Sequence, residues 1–298
     1  MIGELAALGS AISWAVAPIL YRKALANTSA ISANIVRCAT NAVVLFALLI
    51  GLGLVNVLAS IPLWAIVVTI VSGIIGLGVG DTLYMVGLKN LGVSRAVPLA
   101  ATYPLFGLLW AVFLMGQPLS FLAAVGALVI LLGIWLLSRQ KNEDPISVKG
   151  KTLLVGVTFC LLTALVWSVS LSLMDSIISN GVTSLNANYA LITIRIASIG
   201  LFLTALAPFI DKNHGFLKVK RKEIVLLCVG GLIANGLGWL LMNYSFLNIS
   251  ETQAIPISSA SPLFAAVAGV IFFHEKATKW SVSGAIAVVA GIVLIFAV

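Results

Sequence analysis

Three ionisable side chains, Arg37, Asp81 and Arg195, lie inside stretches otherwise apolar enough to cross a bilayer. A charge at that depth is costly, so it is paired or faces a wet cavity, and it is a functional suspect by default. Counting ~1.5 Å per helical residue, Arg37 sits ~9 Å in from one end of its span, with Asp81 at a similar depth from the same face. The two are expected to pair. Such a pair serves either to staple two helices or to couple to an ion, and the residues alone leave both readings open. Asp81 has no acidic counterpart in the second half of the chain, where Trp239 takes its place, so Arg195 is expected to approach Asp175 instead. An asymmetric carboxylate of this kind suits a proton-coupled carrier.

A second set of candidates surrounds two prolines. Ser94–Phe106 reads SRAVPLAATYPLF, and 158 residues later Thr252–Phe264 reads TQAIPISSASPLF. Pro104 and Pro262 each fall near the middle of an apolar run, removing one donor and freeing the carbonyl four residues back, at Ala100 and Ser258. Backbone left unpaired at membrane depth is tolerated where it is packed in protein or lines a cavity. Matched helix interruptions in two halves point to a substrate site at the midplane. Thr102 and Tyr103 flank one kink; Ser258, Ser259 and Ser261 flank the other. Trp14 and Trp167 lie near the centres of the first and sixth runs, away from the interfacial belt tryptophan usually occupies. Asn235 and Trp239 lie at similar depth on the eighth. The candidate substrate-binding set is therefore Trp14, Thr102, Tyr103, Trp167, Asn235, Trp239, Ser258 and Ser261. The plainer alternative makes the kinks locally satisfied and the tryptophans packing residues.

The elements that position these residues follow from a duplication. The same offset, without a gap, aligns Arg37 with Arg195, Gly73 with Gly231, Gly78 with Gly236, Gly80 with Gly238, Gly126 with Gly284 and Gly133 with Gly291. Glycine, proline and arginine do not recur at one fixed spacing by chance in apolar sequence. Ten apolar runs are long enough to span ~30 Å as helices, near 3–25, 31–52, 63–89, 93–115, 119–138, 152–177, 187–207, 224–247, 251–273 and 280–297. The expected fold is an all-α polytopic membrane protein of ten transmembrane helices in two five-helix repeats, 1–138 and 151–298, joined by a cytoplasmic linker at 139–150. An odd number of spans per copy inverts the second copy. The charges agree: fifteen of seventeen Lys and Arg fall in connections on one side, which the positive-inside rule assigns to the cytoplasm, with both termini outside.

Composition excludes several classes. The chain is 61% hydrophobic and 9% charged, far from the balance of a soluble domain. The net charge of +8 does not signal nucleic acid, because the basic residues are dispersed among short loops. Cys38, Cys160 and Cys228 sit in apolar runs without metal or redox spacing and read as small core residues. There is no Walker loop, HExxH or metal-spaced cluster, so neither enzyme nor ATP-driven pump is expected, and no cofactor. The first run lacks a basic leader and continues into the duplicated unit, so no cleavable signal peptide is expected. The glycines at 76 and 80, and the heptad pairs 126/133 and 284/291, read as helix–helix contact surfaces rather than ligand sites.

The ordered set of motifs resembles the drug/metabolite transporter superfamily, specifically its EamA-like ten-helix branch. The resemblance rests on an Arg in the second span of each copy (NIVRCATNAVVL and ITIRIASIGLFL), a glycine-rich third span, the paired proline segments, and a glycine-bearing fifth span after a short turn. Relatives often carry an acidic residue at the end of the fourth and ninth spans; Glu275 fits that pattern and Gln117 departs from it. The resemblance implies a carrier of small metabolites, commonly an amino-acid or drug exporter, working by alternating access.

The leading expectation is a secondary transporter whose cavity is walled by the first, third and fourth spans and their copies. Helices 5 and 10 of that scheme form the static seam. Its expected partners are a small-molecule substrate and membrane lipid, with coupling to a proton or to exchange left open. Hydroxyls, amides and indoles suit a neutral, zwitterionic or aromatic solute better than a polyanion. The competing class is a non-transporting structural or lipid-binding membrane protein. The two diverge on whether the midplane polar residues line a cavity or are packed shut.

Overall fold

The computed structural model describes residues 1–113, 120–138, 150–179, 182, 184–211, 214–249, 254, 257–258, 260–273 and 278–297. Linker residues 139–149, Gln117, Ser259 and Glu275, and the side chain of Asp175, lie outside the described residues. Everything described is helix or connection, with no strand among the described residues. The principal helices are α1 (Ile2–Leu25), α2 (Ala30–Gly51), α3 (Leu63–Leu91), α4 (Val93–Ala100), α5 (Tyr103–Phe113) and α6 (Phe121–Ser138). The second half supplies α7 (Lys151–Ser179), α8 (Leu185–Ile210), α9 (Arg221–Ser245), α10 (Ser261–Phe273) and α11 (Lys279–Phe296). Six helices, α1, α2, α3, α7, α8 and α9, are long and apolar enough to cross a membrane, and α6, α10 and α11 are shorter apolar helices. Large apolar side chains such as Val43, Phe113, Phe121, Leu201 and Phe209 stand exposed on the outer faces, where water would penalise them and lipid would not.

Two departures from uninterrupted helices matter for the interior. The run expected at 93–115 is two helices, broken at Ala101–Thr102, two residues before Pro104. Proline is tolerated at the start of α5, where the first N–H groups have no intrahelical acceptor. The equivalent break precedes α10, with Ala260 in a turn and Pro262 second in the helix. The other departure is a π-helical segment in α3, Ile74–Gly80, matched residue for residue by Leu232–Gly238 in α9. IIGLGVG carries three glycines and LIANGLG two, each a weak helix former, and π turns leave carbonyls off the regular ladder.

Packing follows the glycines. α6 crosses α11 so closely that a Cβ on Gly126 would stand 2.6 Å from the carbonyl oxygen of Gly291, and one on Gly291 2.6 Å from that of Gly126. Gly133 and Gly284 repeat the approach one turn-pair along. Elsewhere the halves exchange partners: α1 packs on α9, and α7 packs on α3. At one end of the bundle, Ser32 at the start of α2 donates to Asp211 at the end of α8 (2.7 Å), and Lys89 near the end of α3 donates to the Thr28 carbonyl. Asn27 also donates to Glu223 at the start of α9. The end of α3 and the start of α9 therefore share one face.

Candidate functional site

Between the two halves lies a cavity of about 140 Å³. Its walls come from α1, α2, α3, α4, α5, α7, α8, α9 and α10, and the breaks before α5 and α10 border it directly. Trp14, Trp167 and Trp239 face it, as do Tyr103, Asn235, Ser258 and Ser261. Seven of the eight sequence candidates thus meet in one space. Thr102 stands apart: it is fully buried, and its hydroxyl donates to the Leu99 carbonyl at 2.7 Å, closing the break in place of the lost helical bond. Arg37, Asp81 and Arg195 also line the cavity.

On the first-half side the charges pair with each other. Arg37 Nη2 donates to Asp81 Oδ2 at 2.6 Å and to Asn34 Oδ1 at 2.7 Å. Its guanidinium also lies 5.4 Å from the Tyr21 ring centroid. Asp81 Oδ1 accepts from Trp167 Nε1 at 2.8 Å, so both carboxylate oxygens are engaged. Asn34 turns its amide nitrogen to the π segment, donating to the carbonyls of Leu77 (2.9 Å) and Gly78 (3.2 Å). The carbonyls displaced by the π turn are thereby satisfied by the same residue that orients the arginine.

The second half keeps the arginine and changes its company. At the positions equivalent to Asp81 and Asn34 stand Trp239 and Ile192. Arg195 Nη2 donates to Ser170 Oγ at 2.6 Å, and the guanidinium lies 5.3 Å from the Trp239 ring centroid. Ser170 is itself held by reciprocal bonds with Ser72, its hydroxyl donating to the Ser72 carbonyl at 2.8 Å and its carbonyl accepting from the Ser72 hydroxyl at 2.9 Å. Among the described residues no carboxylate lies within ion-pair distance of Arg195.

The two central tryptophans play matched parts. A Cβ on Gly80 would meet Trp167 at 2.7 Å, and one on Gly238 would meet Trp14 at 2.7 Å. Each indole occupies the notch left by the glycine that closes the other half's π segment. Trp14 donates to the Ala234 carbonyl at 3.2 Å and stacks edge-on with Trp239 at 5.7 Å; Trp167 lies 5.1 Å from Tyr84. Sequence reasoning missed Ser170, Asn34, Tyr21 and Tyr84. Asn34 had a readable signal, three residues before Arg37 on one helix face. Ser170 had none, since only the packing of α7 and α8 on α3 brings it to the arginine.

A helical bundle with exposed apolar flanks, enclosing a small cavity lined with aromatic and polar groups, has the build of a polytopic membrane protein that handles a small solute. The sequence pattern of the EamA-like transporter family matches residues 1–139 and again 154–297. The chain belongs to that family, within the drug/metabolite transporter superfamily, and is a multi-pass membrane transporter. It is similar to a protein of Archaeoglobus fulgidus described as an uncharacterized transporter, with 27% identity over 302 residues covering 99% of this chain and 98% of the relative. A solved crystal structure at 17% identity superposes with a TM-score of 0.62 over 98% of this chain and 95% of that one, a likeness in fold.

Proposed function

We propose that the chain is a secondary carrier that moves a small metabolite across the cytoplasmic membrane by alternating access, in the export direction. In this reading ten spans form two inverted repeats, 1–138 and 151–298, with linker 139–150 in the cytoplasm and both termini outside. The cargo is an amino acid or a similar neutral, zwitterionic or aromatic compound. The reading is supported chiefly by one observation: seven of the eight polar and aromatic candidates and all three intramembrane charges border one cavity, at the breaks before α5 and α10. The meeting of the end of α3 with the start of α9 supports the inversion. Rocking about the breaks and π segments opens the cavity to each side in turn, while the α6–α11 seam stays closed. The outer apolar faces meet lipid. Movement is coupled to a proton or to exchange for a second solute.

Counterflow in proteoliposomes, screened with labelled amino acids and related metabolites, tests the reading. Saturable accumulation of one class is expected. Tyr103→Ala and Ser261→Val should each lower it by about tenfold, the loss of roughly one good contact, without a large fall in thermal stability. Wild-type flux in both variants would remove the site assignment. An imposed pH gradient separates proton coupling from exchange. No flux across the panel would favour a structural or lipid-binding role.

A further inference from the structure

The cavity wall carries two guanidinium groups and one carboxylate among the described residues, and that carboxylate is spent. Asp81 gives one oxygen to Arg37 and the other to Trp167. Arg195 is 4% exposed, borders the cavity, and among the described residues holds one hydrogen-bond acceptor, the neutral Ser170 hydroxyl. Its buried Nε has no partner, which is equally true of Arg37 Nε, so the two differ in what their Nη groups meet. Arginine presents five donors in a planar fork that matches a carboxylate. A cation buried with so little compensation is costly, and the cost is removed when an anion arrives beside it.

Resting on the carrier reading above, we propose that Arg195 is the docking residue for a carboxylate group on the transported solute. The neighbouring groups define the remainder of that solute. Trp239 lies against the guanidinium, and Trp14 stacks on Trp239, so an apolar or aromatic body adjoining the carboxylate meets flat hydrophobic surface. Asn235, on the cavity wall, has no hydrogen-bond partner among the described residues and is available to a polar substituent. The first-half arginine does not compete for the anion, because Asp81 already neutralises it. The Arg195 position is preserved between the halves while its acidic and amide partners are replaced by Trp239 and Ile192. The second arginine is thus free to serve a ligand where the first serves the fold.

The test is binding to the purified full-length protein in lipid nanodiscs, read by quenching of the tryptophans that wall the cavity. The probes are four compounds with one aromatic body: phenylalanine, 3-phenylpropionate, phenylalanine amide and phenethylamine. The two carboxylates are expected to bind, and the amide and amine to bind about thirtyfold more weakly, as for a buried charge pair left without its partner. Phenylalanine and phenylpropionate between them separate a zwitterion requirement from a carboxylate requirement. In Arg195→Gln the preference for the carboxylates should fall to under about threefold, and Arg195→Lys should restore part of it. Thermal melts of both variants establish that they fold; should Arg195→Gln fail to fold, the lysine variant and the wild-type ranking still decide. Equal binding of all four probes, no carboxylate binding in the millimolar range, or a preference retained in a folded Arg195→Gln would each overturn the proposal. Counterflow of a non-carboxylate solute by the wild type would overturn it while leaving the carrier reading intact. Carboxylate binding without any counterflow would do the reverse.

Discussion

The two intramembrane arginines occupy equivalent positions in a duplicated chain and live in different electrostatic worlds. Arg37 is bound by a carboxylate and an amide oxygen, and that carboxylate is bound again by an indole. Arg195 has a serine hydroxyl and the face of a tryptophan. Two differences on one frame, Trp for Asp and Ile for Asn, separate an ion-paired arginine from one with no carboxylate within ion-pair distance among the described residues. Duplication supplied the same costly charge twice. Among the described residues, only Arg37 has an ion-pair partner.

The sharpest way to break this comparison is to remove the compensation. Asp81→Asn leaves Arg37 buried without its counter-charge and should cost about 3–5 kcal/mol, whereas Arg195→Met deletes a charge with no ion-pair partner among the described residues and should cost less than about 1 kcal/mol or stabilise the protein. Unfolding of both variants in one detergent would decide, and equal losses would refute the asymmetry. The tryptophans give a second contrast. Trp167 donates to a carboxylate and Trp14 to a neutral carbonyl. Trp167→Phe should therefore cost about 1.5–3 kcal/mol and Trp14→Phe about 0.5–1.5 kcal/mol in the same measurement.

Where the halves are alike, matched changes should match. Gly126→Ala and Gly291→Ala each drive a methyl group into the opposing backbone and should cost similar amounts, about 1–3 kcal/mol. Gly107→Ala, with open space around its Cβ, should be neutral or stabilising by up to about 1 kcal/mol. A large disparity within the Gly126/Gly291 pair would show that the seam is less symmetric than its geometry.

The smallest expected effect lies at the bundle end. Asp211 stands where the first half has Gly53. Partial burial tends to raise its carboxyl, but bonds from Ser32 Oγ (2.7 Å) and the Phe216 N–H (2.8 Å) outweigh that and hold it below the usual carboxylate range. A depressed folded-state value contributes stability that is present above the unfolded value of about 3.9 and is lost as pH falls through the folded one. The melting difference between wild type and Asp211→Asn should accordingly be present at pH 7 and shrink as pH falls below about 4. A gap that does not shrink on acidification would mean the carboxylate charge is not what the contact uses.

Much of the frame was legible along the chain because membrane depth makes errors expensive. An apolar run of span length, a glycine at heptad spacing and a charge inside a span each admit few readings once water is absent. Arg37 and Asp81 could be matched by depth alone, and the break at Ala101–Thr102 by the proline that follows it. The expectation for Thr102 overlooked that its hydroxyl has nearer work than a ligand, since the broken turn leaves the Leu99 carbonyl within its reach.

What tertiary structure alone decided lies across the interface of the two halves. The π segments have no sequence rule beyond weak helix formers, and they exist because Asn34 and Trp14 arrive from other helices to take the carbonyls they displace. Trp14 and Trp167 are matched through the glycines they fill, Gly238 and Gly80, in a register the 158-residue offset does not give. Ser170 reaches Arg195 only because α7 and α8 both pack on α3 at that depth. Sequence determined which groups must be hidden from lipid. Only helix packing decided which partner each finds, a carboxylate for Arg37 and a serine hydroxyl for Arg195.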